Sequence, residues 1–374
     1  MQSLSTLAPQ NMRPQFSTYL DAVRFSACMA VVCAHFTFSQ FIAGVPYQGD
    51  LAGIAVTVFF VLSGYVIAYV ADQKETTLKQ YAVSRLARIY SVAIPAIVLT
   101  LIIDFYLMHH GVGDWLPSYE YRGMWKYLPV FLVFGSELAG FHAVVFGDGV
   151  FWSLSYEVWY YVAFATFFYL RGVYRIVLGL VSLLILGPAP LIYFPIWILG
   201  AVIYHTHKRI SVSPNIAKYG ALLTIGAIIV LLALGALGDA DFMANQLFNG
   251  WPRANLHDSM NFASYYIVGV LAGAHIFFVQ YCHLTFLSGQ RIKRAIVYAA
   301  SFTFAIYLSH RPFMNFWAYV IRHDPSSITS ISLLGALVLF SCWLFGFISE
   351  KQKGRWRTLF RRLLNLRAAP LRAA

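Results

Sequence analysis

Charged side chains are scarce: Asp, Glu, Lys and Arg make up 11% of the 374 residues, where a soluble domain carries about 25%. That deficit excludes an ordinary soluble globule. With 59% hydrophobic residues and a mean hydropathy of +0.65, the chain belongs in a membrane. Also missing is the alternation of apolar and polar residues over about 10-residue segments that a transmembrane β-barrel requires. The spans are therefore read as helices, and the fold class as an all-α integral membrane protein.

Cysteine is rare too. Cys28, Cys33, Cys282 and Cys342 lie in or beside apolar runs, and their spacing fits neither a zinc site nor a disulfide framework. They read as small core residues, and no metal is expected. Residues 1–18 lack the basic-then-apolar order of a cleavable leader, and the first apolar run carries Arg24, so that run reads as a retained helix. No internal repeat or low-complexity segment is evident, and no further soluble domain is expected after the last apolar run.

What is present is a series of apolar runs of roughly spanning length, about 20 residues each. Ten spans are expected near 20–42, 51–71, 90–108, 152–170, 174–188, 191–206, 217–237, 260–281, 297–320 and 328–349. The run 128–146 is broken by Gly135, Glu137, Gly140 and His142 and is read as a re-entrant or surface segment. Loop charge supports this count. With a cytoplasmic N-terminus, 21 of the 27 Lys and Arg fall in inner segments, and only Arg122, Lys126, Arg253 and Arg322 fall outside, as the positive-inside rule demands. Acids such as Asp114, Glu120, Glu137, Asp148 and Asp258 gather on the outer side. An eleventh span would invert every later loop. Both termini are thus expected inside, with a spanning domain over 1–349 and a basic tail over 350–374. The net charge of +12 then marks a cytoplasmic face and not a nucleic-acid partner. The tail alternates Arg with Trp356, Leu359, Phe360, Leu363 and Leu364, the pattern of an amphipathic helix lying on anionic membrane lipid.

Ionisable residues within spans cost roughly 2.5–3.5 kcal/mol each and are functional candidates by default. The first span holds Asp21, Arg24 and His35. Arg24 and His35 are three turns apart and share one face, about 16 Å apart along the axis, while Asp21 is placed to pair with Arg24. An arginine snorkelling to the inner headgroups would explain Arg24 equally well. Three further spans bring polar groups to related depths: Ser63 beside Gly64, Glu157 within "FWSLSYEVWYY", and His310 with Arg311 within "FAIYLSHRPF". A buried carboxylate needs a partner, and His35, His310 and Arg311 are the available ones for Glu157. On the inner side Arg85 and Arg88 face together before the third span, which suits phosphate but also fits a purely topological role. Trp115, Tyr119, Tyr121 and Trp125 in one outer loop and Trp251 in another suit a sugar site, and equally an interfacial aromatic belt.

Arg24 with His35, "VFFVLSG" at 58–64, "RLAR" at 85–88, "WSLSYE" at 152–157 and "YLSH" at 307–310 occur in an order that resembles the membrane acyltransferase 3 family. Each motif is weak alone, and together they span most of the chain. Where the family often carries an acid ahead of the Phe-Phe pair, this chain has Thr57. The resemblance implies ten core helices, a cytoplasmic acyl-CoA donor and an acceptor on the far side. It implies a catalytic role for His35, with Glu157 and His310 assisting, donor binding by Arg24, Arg85 and Arg88, and support from Asp21, Ser63, Ser155, Tyr307 and Arg311. The expected reaction is O-acylation, acetyl-CoA being the expected donor and a carbohydrate or glycolipid-linked glycan the acceptor, in a bacterial inner membrane without a metal cofactor. The rival reading is a proton-coupled transporter, whose relay would use the same intramembrane His, Glu and Arg but would be expected to show inverted repeats.

Overall fold

The computed structural model describes residues 12–46, 49–112 and 122–365. Trp115, Tyr119, Tyr121, Asp114 and Glu120, and the last tail arginines Arg367 and Arg372, lie outside the described residues. Among the described residues there is no strand, and helices dominate. In chain order they are α1 (Pro14–Phe36), α2 (Gly49–Gln73), α3 (Leu78–His109), α4 (Met124–Leu132), α5 (Phe151–Tyr169), α6 (Gly172–Leu186), α7 (Pro188–His207), α8 (Pro214–Ala233), α9 (Ala236–Leu247), α10 (Trp251–Asn255), α11 (Phe262–Val279), α12 (Gln290–Ala300), α13 (Thr303–Val320), α14 (Ile328–Ile348) and α15 (Lys353–Leu363).

Among the described residues, seven helical segments are long and apolar enough to cross a membrane: α1, α2 from Leu51, α3, α7, α8, α11 and the stretch Ile328–Leu363. Helices α5 and α13 carry more polar side chains and α6 is shorter, so these three fall outside that set. The segment 128–146 forms no long helix. After α4 it turns through Phe134, Ala139, Gly140 and Phe146, all with positive φ, and its Phe131, Phe134 and Phe146 plug into the core.

Two local features position the site. Helices α2 and α7 cross with almost no gap, because Gly64 faces the Trp197 carbonyl and Gly200 faces the Val61 carbonyl; a Cβ would come within 1.9 and 2.0 Å of those oxygens. Small residues at such crossings let backbones touch. The second feature corrects the expected span 297–320. The helix breaks at Ser301–Phe302, between α12 and α13. Phe302 turns into a notch that Gly346 leaves on α14, where a Cβ would lie 2.3 Å from its ring. The new N-terminus of α13 is capped by Glu350, whose Oε2 accepts from the Ala305 N–H at 3.1 Å. A carboxylate there satisfies an orphan donor and complements the helix dipole.

The tail also differs from a helix lying only on lipid. Helix α15 packs on α3, with the Phe360 ring tilted against that of Tyr90 at 5.8 Å between ring centroids. Leu359 and Leu363 remain on its exposed side.

Candidate active site

Near the start of α1, Asp21 accepts from Arg24 at 2.6 Å, the pairing that the three-residue spacing allows. Arg24 enters a central cavity of about 320 Å³ with Arg88, Glu157, Ser153, Tyr307, Glu350 and Lys353 among its walls. Two further spaces adjoin it, one smaller and one larger. One of about 200 Å³ is lined by Asp21, Ser63, Tyr161 and again Arg24, Arg88 and Glu157. The other, about 520 Å³, is a basic basin formed by Lys74, Arg85, Arg88, Lys353, Arg357 and Arg361 around one carboxylate, Glu75. Arg88 borders all three.

Arg85 and Arg88 therefore do reach one space, but their situations differ. Arg85 is buried and bonded to Glu75 at 3.0 Å, flanked by the rings of Tyr81 and Tyr161. Much of its charge is committed within the protein. Arg88 has no ion pair with a carboxylate among the described residues. The sequence pattern predicts a tail helix lying on anionic lipid; with α15 docked on α3, its Lys353, Arg357 and Arg361 line the basin instead. Glu350, likewise missed, sits between α14 and α15 and gave no sequence signal beyond its charge.

Glu157 has different company from that expected. Its Oε1 accepts from Ser63 Oγ at 2.7 Å and from Tyr161 O–H at 2.5 Å, and Trp197 Nε1 donates to Ser63 at 3.2 Å. No hydrogen bond joins it to His35 or His310 among the described residues. The α2–α7 crossing at Gly64 is what brings Trp197 and Ser63 together under Glu157. Thr57, at the position where the family often has an acid, bonds the Tyr193 hydroxyl at 2.5 Å.

The two histidines meet as a pair. His35, in the last turn of α1, places Nδ1 2.8 Å from Nε2 of His310, with the rings nearly parallel. His310 is fully buried, and its Nδ1 faces only carbonyl oxygens, those of Ile306 at 3.1 Å and Tyr307 at 2.8 Å. That nitrogen must carry the proton, so in a neutral His310 ring Nε2 is an acceptor. His35 Nδ1 then donates, and the lone pair of His35 is left on Nε2. The tautomer of the outer ring is thus set by the inner one, as in other oriented histidines.

Around the pair, Phe38 stacks on His35, and the Arg311 guanidinium lies 4.5 Å over the Phe38 ring. The loop after α1 is pinned by Ala43 N–H to the Pro325 carbonyl at 2.9 Å and by His323 Nε2 to the Phe41 carbonyl at 2.8 Å. His35 and His310 do not line the central cavity. Tyr307 does; its ring lies 6.3 Å from that of His310, and its hydroxyl bonds Ser153 at 2.7 Å. Ser155 lies apart from all of these, donating to the Phe134 carbonyl at 2.5 Å, and so anchors the loop after α4.

At the far end of the molecule from the basic basin lies a second polar group. Asp104 is sixteen residues along α3 from Arg88, about 24 Å of helix, and receives Gly147 N–H at 2.7 Å. In the same loop, Glu137 Oε2 pairs with His142 Nδ1 at 2.9 Å. Burial pushes the Glu137 carboxyl up to about 7.

Membrane-length helices around an internal cavity lined by Arg24, Arg88, Glu157 and Lys353, with an imidazole pair near Tyr307, define a helical membrane protein with ionisable groups in its interior. A family model described as an acyltransferase domain (Acyl_transf_3) matches residues 17–347, so the chain belongs to the acyltransferase 3 family and is a membrane acyltransferase. No curated protein and no solved structure matches it.

Proposed function

We propose that this acyltransferase moves an acetyl group from cytoplasmic acetyl-CoA to a sugar hydroxyl of an exported glycan, across ten spans with both termini in the cytoplasm of a bacterial cell. The observation that supports the reading is that the basin of Arg85, Arg357 and Arg361 and the cavity lined by Tyr307 share Arg88 and Lys353 as walls. Clustered guanidinium and ammonium groups suit the phosphates of a nucleotide. The narrower, more apolar cavity beyond suits a pantetheine arm, with Arg24 and Glu157 along its wall.

In this reading the thioester passes Tyr307 to reach the Nε2 lone pair of His35. That lone pair takes the proton of the acceptor hydroxyl while the oxygen attacks the thioester carbonyl, and collapse of the tetrahedral intermediate expels CoA thiolate. The same lone pair serves equally as a nucleophile, forming an acyl-imidazole that the sugar oxygen then attacks. In both routes His310 is a positioning residue that holds the Nδ1 proton. On the opposite face Trp125 and Trp251 are exposed and offer flat surfaces to a sugar ring.

The test is labelled acetyl-CoA supplied to inside-out membrane vesicles, with recovery of label in surface glycan and release of free CoA. Acceptor-dependent thiol release with label in the glycan supports the reading. Substrate flux without thiol release would support a transporter instead.

A further inference from the structure

Glu137, His142 and Asp258 come from two loops more than a hundred residues apart in sequence, and they converge at the end of the molecule opposite the basic basin. One ligand-capable atom from each lies within 4.8 Å of the others. His142 Nδ1 is 2.9 Å from Glu137 Oε2 and 4.0 Å from Asp258 Oδ2. A second imidazole, His257, is stacked on His142 at 4.2 Å and almost parallel.

Two features set this group apart from a chance meeting of polar side chains. Glu137 is only 2% exposed, and its Oε1 is buried with no hydrogen-bond partner. A buried oxygen left so carries its desolvation cost with no hydrogen bond to offset it. Secondly, neither carboxylate is paired with a lysine or arginine among the described residues; the imidazole of His142 is the partner of both. Two carboxylates around one imidazole, with an unsatisfied oxygen, lack a positive charge.

We propose that Glu137, His142 and Asp258 bind one divalent transition-metal ion of the zinc class. One imidazole nitrogen and two carboxylate oxygens are ligands such ions accept, at about 2.0–2.2 Å. Ligand atoms on bonds of that length lie roughly 3.3 Å apart in a tetrahedron. The His142–Glu137 gap therefore opens by a few tenths of an ångström and the His142–Asp258 gap closes by less than one. Three protein ligands leave a fourth position open. The ion replaces the proton shared between His142 and Glu137, so binding releases that proton. It ties the loop after α4 to the turn before α11. That turn is otherwise held by Ser259, which donates to the Ala189 carbonyl at 3.0 Å and bonds the Tyr156 hydroxyl at 3.1 Å.

The experiment uses full-length protein in detergent, purified on a metal-free affinity matrix, dialysed against chelator and then titrated with Zn²⁺. The expected result is about one zinc per chain by elemental analysis and a rise of at least about 2 °C in the thermal midpoint. Both effects should be lost in His142→Ala and in Glu137→Gln, and kept in His283→Ala, an exposed histidine elsewhere. Should Glu137→Gln fail to fold, His142→Ala and the wild-type titration decide the matter. Zinc retained equally by wild type and His142→Ala, or no zinc retained by wild type, would overturn the proposal. A failure here leaves the acyltransfer reading untouched, because neither measurement depends on turnover.

Discussion

The His35–His310 pair yields a prediction whose size follows from its geometry. Replacing His35 by Ala removes the Nε2 lone pair and should lower acyl transfer by about 10²–10⁴-fold, equivalent to about 2.7–5.4 kcal/mol in the barrier. His310→Leu leaves that lone pair in place but strips the acceptor from Nδ1. A buried donor without its partner costs about 1–3 kcal/mol, which translates to roughly 5–150-fold, and the ring loses the contact that fixes its tautomer. His310→Gln keeps an acceptor oxygen and should recover part of the loss. Because His310 acts only through His35, the double variant should be no slower than His35→Ala alone. The assay is thiol release from acetyl-CoA in membranes containing equal amounts of folded protein, checked by thermal unfolding in detergent. If the two losses multiply, or if His310→Leu retains full activity, the inner ring does not orient the outer one and the reasoning fails.

Three further outcomes are expected. Gly64→Ala forces a Cβ to 1.9 Å from the Trp197 carbonyl; it should destabilise the protein by about 1–3 kcal/mol, the usual overpacking range. Gly226→Ala, in α8 with nothing within 4 Å of the added carbon, should be neutral or slightly stabilising, so equal melting behaviour in the two variants would refute the crossing argument. Arg357→Ala with Arg361→Ala should raise KM for acetyl-CoA at least about fivefold, at about 1 kcal/mol or more for a charged hydrogen bond, with little change in kcat; an acyl-pantetheine lacking the nucleotide should show no such difference, and a matching change with both donors would remove α15 from phosphate binding. Glu350→Ala uncaps α13 and should lower stability by about 1 kcal/mol, read as a drop of roughly 2–4 °C in the thermal midpoint; an unchanged midpoint would mean the Ala305 contact contributes nothing.

Much of this was legible from the violations of hydropathy. Asp21, Arg24, His35 and His310 stood out because charge within an apolar run is costly, and the pairing of Asp21 with Arg24 followed from helical spacing. The broken helix was not legible: "YAASFTFAIYL" contains neither Gly nor Pro to mark a stop. Its cause is tertiary, the seat that Gly346 offers Phe302 from forty-four residues away in sequence. Glu157 lies half-buried beside Ser63 and Tyr161, but those partners could not be read, since a span's register says how deep a side chain lies and not which neighbour it faces. The tail shows the same ambiguity in another form. Arg and aromatic residues at helical spacing describe an amphipathic helix whether its apolar face meets lipid or α3. The Glu137–His142–Asp258 group was invisible for want of spacing, its third member lying 116 residues beyond the second.

Tyr307 carries a consequence for the cell as a whole. An enzyme that works on both sides of a bilayer risks becoming a leak, since a continuous water file would discharge the ion gradients that the membrane maintains. Tyr307, its hydroxyl bonded to Ser153 at 2.7 Å, both lines the cavity and lies beside His310. In the proposed reaction, access and insulation would compete for that one phenol ring: a donor moving from the cavity towards the imidazoles has to pass it, and its return would restore the barrier.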